Sequence, residues 1–189
     1  METIVGIAVG IGLSAACGFR VFAPLLIMNL ATLSGQFHLS PEFAWIGTSY
    51  ATLAFTTATI AEIIGYYVTW FDHVLDIIAT PAAVIAGTIV TASVMTDISP
   101  FLKWTLALIA GGGIAGLVQG TTVALRAKSS ASTGGALNPV VSTLELTGSI
   151  ITSLLAILVP ILSVMLIGLL CFFIFCKVGR LIFGKKKST

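Results

Sequence analysis

Arg20 stands inside "VGIGLSAACGFRVFAPLL", residues 9–26, an otherwise nearly unbroken apolar run. A guanidinium held in such surroundings needs a carboxylate, a wet cavity or a polar ligand beside it, because on an apolar helix it costs at least about 2.5–3.5 kcal/mol to bury near a bilayer centre. Glu62 and Glu145 are the carboxylates that could pair with it, and with Asn138 they form the candidate pathway for a solute or ion. A second group, "WFDHVLDII" at residues 70–78, sets Asp72 and Asp76 one helical turn apart with His73 between them. That spacing could hold a divalent cation on one helix face. It also suits a plain helix start, with Asp72 as N-cap and Asp76 opposing the dipole. No metal site follows from it alone.

The elements that carry these residues follow from composition. Of the 189 residues, 57% are hydrophobic and 8% charged, with a mean hydropathy of +1.11. Soluble domains carry about a quarter charged residues, and roughly 20 apolar residues cross a bilayer. The chain therefore reads as all-α, a polytopic transmembrane bundle in one membrane domain over 1–189. Ser40-Pro41, Thr80-Pro81, Ser99-Pro100 and Asn138-Pro139 read as helix starts, a capping residue followed by proline at the first helical position. Six spans are expected near 4–30, 42–70, 74–97, 100–127, 139–158 and 160–180. Pro160 is the weakest boundary, since 139–180 could instead hold one span plus a re-entrant piece. Thr80-Pro81 has a second reading, as a kink within the third helix.

Basic residues orient this arrangement. Arg126 and Lys128 follow the fourth span, and Lys177, Arg180 and the tail 184–189 with Lys185, Lys186 and Lys187 follow the sixth, against Lys103 alone opposite. The positive-inside rule then expects a cell (inner or plasma) membrane protein with both termini in the cytoplasm. Arg126 reads as an anchor at a cytoplasmic helix end. Trp45, Trp70 and Trp104 fall near span ends, as interfacial rings do. Cys17, Cys171 and Cys176 read as small buried hydrophobes.

Small residues recur at every fourth position in two places: Gly6, Gly10, Ser14 and Gly18, then Gly112, Gly116, Gly120 and Ala124. Each ladder is followed two residues on by an arginine, Arg20 or Arg126. Such ladders let helices approach closely in lipid. Matching first and fourth helices raise an inverted repeat of two three-helix halves, 1–97 and 98–183, with a site between them; packing alone is the other reading.

"GLSAACGFRVFAPLL", "FDHVLDIIATP" and "GGALNPVVSTLE" resemble, in order and spacing, three signature blocks of the domain-of-unknown-function 4126 family. The resemblance implies a small prokaryotic integral membrane protein and marks Gly18, Arg20, Asp72, His73, Asp76, Asn138, Pro139 and Glu145 as motif positions. Members often carry Arg where this chain has Thr80 and an acidic residue where it has Leu146, so an acidic cation site is weaker here.

The functional expectation is a small transporter or channel for a polar solute, ion or lipid head group. The alternative is a membrane scaffold in which the buried charges are structural and the ladders are subunit contacts. No enzyme is expected, since too few polar groups are present to assemble a reaction centre. Membrane lipids, an unknown small solute and a second copy of the chain are the expected partners. Nucleic acid, a cofactor and a metal are not.

Overall fold

In a computed structural model the backbone is described for residues 2–68, 72–96 and 98–183, and the side chains for those residues other than 2, 3, 72, 73, 175 and 177–183. Every regular element is helical among the described residues: α1 (Glu2–Phe19), α2 (Phe22–Leu33), a 3₁₀ segment (Pro41–Gly47), α3 (Ser49–Tyr67), α4 (Asp72–Ser93), α5 (Pro100–Leu106), a π-helical segment (Ala107–Gly112), α6 (Gly113–Thr133), α7 (Asn138–Leu158) and α8 (Pro160–Phe183). Among the described residues three helices are long and apolar enough to cross a membrane: Val74–Ser93, the continuous Pro100–Thr133, and Asn138–Leu158. Large apolar side chains such as Tyr50, Ile77, Phe101 and Ile161 cover the outside, which suits hydrocarbon rather than water.

The first predicted span is not one helix. The backbone breaks at Arg20 and Val21, and α2 folds back towards the end that α1 came from. At that end Gly6 lies against the Val94 carbonyl, Ser93 Oγ reaches Met28 Sδ at 3.7 Å, and Ser40 N–H donates to the Ser93 carbonyl at 2.8 Å. The break carries no glycine. Pro24 sits in the first turn of α2, where its missing N–H is harmless. The force that stabilises the turn comes from far along the chain: Glu62 on α3 accepts from Val21 N–H at 2.9 Å and Phe22 N–H at 3.2 Å. A carboxylate on the free N–H groups of a helix start is a favoured arrangement. Buried Asn29 secures the other end of α2, donating to the Ile46 and Thr48 carbonyls and accepting from Thr52.

The remaining helices alternate between two ends, named here for Lys103 and Arg126. Helix α3 runs from Thr52 beside Asn29 to Glu62 beside Val21. Helix α4 returns from Asp76, which meets Arg126, to Ser93. The α5–α6 stretch runs from Lys103, paired with Glu42 at 2.6 Å, to Arg126. Helix α7 runs from Ser142, beside Arg20, to Ala156, beside Gly12. Helix α8 begins with Ser163 also beside Gly12 and passes Phe19 at Leu170.

This path bears on four expectations. First, α1 starts at the Lys103 end and α8 runs to the Arg126 end, so the first and last described helices open and close at opposite ends, where six spans would have returned to the same one; the hairpin adds the pass that reverses the parity. Second, the helix of each ladder runs in the same direction, since Gly10 and Gly111 both face Thr91 while Arg20 and Arg126 both meet Glu145. Halves in that register are therefore not inverted. Third, 139–180 forms two separate antiparallel helices, α7 and α8, as the expected boundaries at 139–158 and 160–180 require, and the fold-back lies instead at α1–α2. Fourth, Thr80-Pro81 starts nothing: Pro81 lies inside α4, as proline does in apolar helices whose neighbours support the backbone. Ser99-Pro100 and Asn138-Pro139 do mark α5 and α7, whereas Ser40-Pro41 opens the 3₁₀ segment.

The ladders pack, though not all with each other. A Cβ at Gly18 would lie 2.6 Å from both the Ala115 carbonyl oxygen and Val118 Cβ on α6. Gly6, Gly10 and Ser14 instead face α4, where Ser14 Oγ donates to the Gly87 carbonyl at 2.7 Å. Gly112 and Gly116 also face α4, at Thr88 and Val84. At Gly120 a Cβ would meet nothing within 4 Å, because each four-residue step turns about 40° around the helix and the ladder rotates off the contact. The closest approach to α4 falls at Gly111, against Thr91 and Gly87, in the π-helical turn.

Trp45 and Trp104 are half exposed near the Lys103 end; Trp70 lies outside the described residues. Cys17 is fully buried, while Cys176 is exposed, which corrects its expected burial.

Candidate functional site

Five helices bring charge together in the Arg126 third of the bundle. Arg20 follows α1, Glu62 and Tyr66 lie one turn apart on α3, Asp76 is on α4, Arg126 on α6, and Ser142 and Glu145 on α7. Arg20, Arg126, Glu145 and Glu62 are 2%, 3%, 5% and 7% exposed. Arg20 Nη2 donates to the Ser142 carbonyl at 3.1 Å and to the Ser142 hydroxyl, and lies 3.7 Å from Glu145 Oε2. Arg126 Nη1 donates to Asp76 Oδ1 at 3.0 Å, and its Nη2 donates to the same Glu145 oxygen that Arg20 approaches. The two guanidinium carbons lie 3.9 Å and 4.0 Å from the Tyr66 ring centroid, within cation–π range.

The sequence expectation for Arg126 is overturned. Helix α6 continues to Thr133, so Arg126 lies about two turns inside its helix rather than at the end, and its partners are Asp76 and Glu145 instead of lipid head groups. Arg20 does find Glu145. It makes no ion pair with Glu62, whose two oxygens are engaged by the backbone at the start of α2. Asp76 pairs with Arg126; the Asp72 and His73 side chains of the expected cation site lie outside the described residues. Among those described, no group of three or more His, Cys, Asp or Glu could hold a metal ion. Asn138 is buried, but its amide nitrogen donates to Ser130 Oγ at 2.8 Å, which ties the start of α7 to α6.

Tyr66 and the buried face of α7 escaped the sequence reading. Asn138, Ser142, Glu145, Ser149 and Ser153 are all buried on that helix, a polar seam facing the bundle. Its signal was legible as polar residues spaced three or four apart in an apolar run. Ser149 Oγ donates to the Ala16 carbonyl at 3.1 Å and Ser153 Oγ to the Ser149 carbonyl at 2.7 Å.

The cluster is incompletely satisfied. Among the described residues, Arg20 Nε and Nη1, Arg126 Nε and Glu145 Oε1 are buried and make no hydrogen bond. Buried polar groups are normally paired with protein or water, so these four atoms have hydrogen-bonding capacity that the protein itself does not use.

The family described as "Domain of unknown function (DUF4126)" matches residues 7–180. The chain belongs to this family. No curated protein and no solved structure matches the chain. The DUF4126 match spans the α1–α2 break and all five helices that supply the cluster, so the whole site lies within the family's extent.

Proposed function

We infer that this DUF4126 chain is a polytopic membrane protein that passes a small polar solute or ion, with the Arg20–Tyr66–Arg126–Glu145 cluster in its path. The observation that carries this reading is the set of buried, unpartnered polar atoms on Arg20, Arg126 and Glu145. They stand where α1 breaks and where the seam of α7 begins. In the bilayer α1–α2 is a hairpin entering from the Lys103 side, followed by five passes: α3, α4, α5–α6, α7 and α8. Arg126, Lys128, Lys177, Arg180 and the tail belong to one side by sequence, which is the cytoplasm of a cell membrane under the positive-inside rule. The C terminus is then cytoplasmic and the N terminus is on the opposite side.

Reconstituted protein tests the reading through flux of a panel of inorganic ions and small polar solutes. Arg126→Lys is expected to lower flux at least tenfold while melting within a few degrees of the wild type. Unchanged flux in that variant sinks the pathway role. For topology, single cysteines at Gln36 and Lys128 in a background lacking native cysteines should react with an impermeant thiol reagent from opposite faces. Labelling from the same face would overturn the arrangement.

A subunit contact is the second reading, favoured by Gly113 and Gly120, which face open space on α6 beside exposed Leu117. Gly10 and Gly116, the ladder positions expected to serve it, contact α4 instead. Gly120→Leu should then shift the oligomeric state; an unaltered size distribution would remove this reading.

A further inference from the structure

We propose that the Arg20–Arg126 pair binds a small monovalent anion, which deepens the transport reading above by naming a ligand class for the same cluster. The unpartnered atoms have a marked polarity. Arg20 Nε and Nη1 and Arg126 Nε are N–H donors, and against these three stands one acceptor, Glu145 Oε1. A guanidinium has five N–H donors and no acceptor, so what completes the site must accept. A metal cation would need several free oxygens, and the cluster offers that one.

The distribution of charge points the same way for Arg20. Arg126 has two carboxylate partners in direct contact, Asp76 and Glu145. Arg20 has one, Glu145, at 3.7 Å, with its closer bonds made to neutral Ser142. Glu62 adds negative charge nearby without hydrogen-bonding to Arg20, because the start of α2 holds it. Arg20 is therefore the cation with fewer direct carboxylate contacts and more free donors. The surroundings also limit the ligand. Arg20 and Arg126 are almost fully buried, and three carboxylates already face the pair, so a multiply charged anion would meet repulsion and a steep desolvation penalty. A single charge on a small body is the class that fits.

Glu62 acts in this scheme as a fixed competitor. Its carboxylate opposes an incoming anion, so neutralising it should tighten binding even as it weakens the hold on the start of α2. The amide of Glu62→Gln retains one oxygen to accept from the α2 backbone.

The test uses the full chain in nanodiscs, titrated with sodium chloride, nitrate or formate while sodium gluconate holds ionic strength constant. The melting temperature is read throughout. Wild type is expected to show a saturable rise of several degrees. Arg20→Lys, which keeps the charge but loses the planar donors, should need at least tenfold more anion. Glu62→Gln should need about tenfold less. A shift that does not saturate, equal half-saturation in wild type and Glu62→Gln, or a response that follows sodium instead of the anion overturns the proposal. If Arg20→Lys does not assemble, the wild-type and Glu62→Gln titrations still decide it. Saturable binding without flux of any solute would retain the anion site and remove the transport reading. Flux with no anion response would do the reverse.

Discussion

Glu145→Ala is expected to destabilise the protein by about 3–5 kcal/mol, the usual range when one partner of a buried charge network is removed. Glu145 Oε2 is the one carboxylate oxygen that both guanidinium groups approach. Its loss leaves Arg20 with no carboxylate within 4 Å among the described residues and Arg126 with Asp76 alone, both still buried against Tyr66. Thermal or denaturant unfolding in detergent measures the effect. Joint replacement by Arg126→Met and Glu145→Leu should do less damage than Glu145→Ala, because removing both partners leaves fewer uncompensated charges. If Glu145→Ala melts like the wild type, water already compensates the cluster and its charge pairs carry little of the stability.

The second large effect is steric. Gly18→Val should cost about 3 kcal/mol, near the upper end of overpacking penalties. Even its Cβ would lie 2.6 Å from the Ala115 carbonyl oxygen and from Val118 Cβ. One of those neighbours is backbone, so relief requires α1 and α6 to separate, and Arg20 moves with α1. Gly120→Val, on the same α6 but facing open space, is the matched control and should be nearly neutral apart from helix propensity. Equal melting of the two variants would show that α1 and α6 do not meet at Gly18.

Much of the architecture was legible from local signals. Ser99-Pro100 and Asn138-Pro139 announce α5 and α7 because capping and proline geometry act within one turn. Composition specified an all-helical chain for the same reason. The misreadings have a common cause in long-range contacts. The break after α1 has no strong local signature; it is held by Glu62, which lies about forty residues downstream. Arg126 was misplaced because Lys128, Ser129 and Ser130 resemble the start of a polar loop, although α6 continues through them to Thr133. Once α6 is two turns longer, Arg126 becomes interior and Asp76 becomes its partner. Glu62, Glu145 and Arg20 stood out as charges that need explanation, since an ionised group in an apolar run needs a partner wherever the helices go. Tyr66 was missed because an aromatic residue in such a run needs none.

The α1–α2 hairpin has a consequence for biogenesis. Helix α2 has 12 residues, about 18 Å of rise, which is too short to cross a bilayer core of about 30 Å as an independent segment. During synthesis the N–H groups of Val21 and Phe22 emerge well before Glu62, the residue that accepts from them. The nascent N-terminal segment therefore leaves the ribosome before the carboxylate that accepts from its turn. Truncated nascent chains ending before Glu62 should expose Gln36 and His38 differently from chains that include α3. In this protein the break between the first two helices is held by a residue translated about forty positions after it.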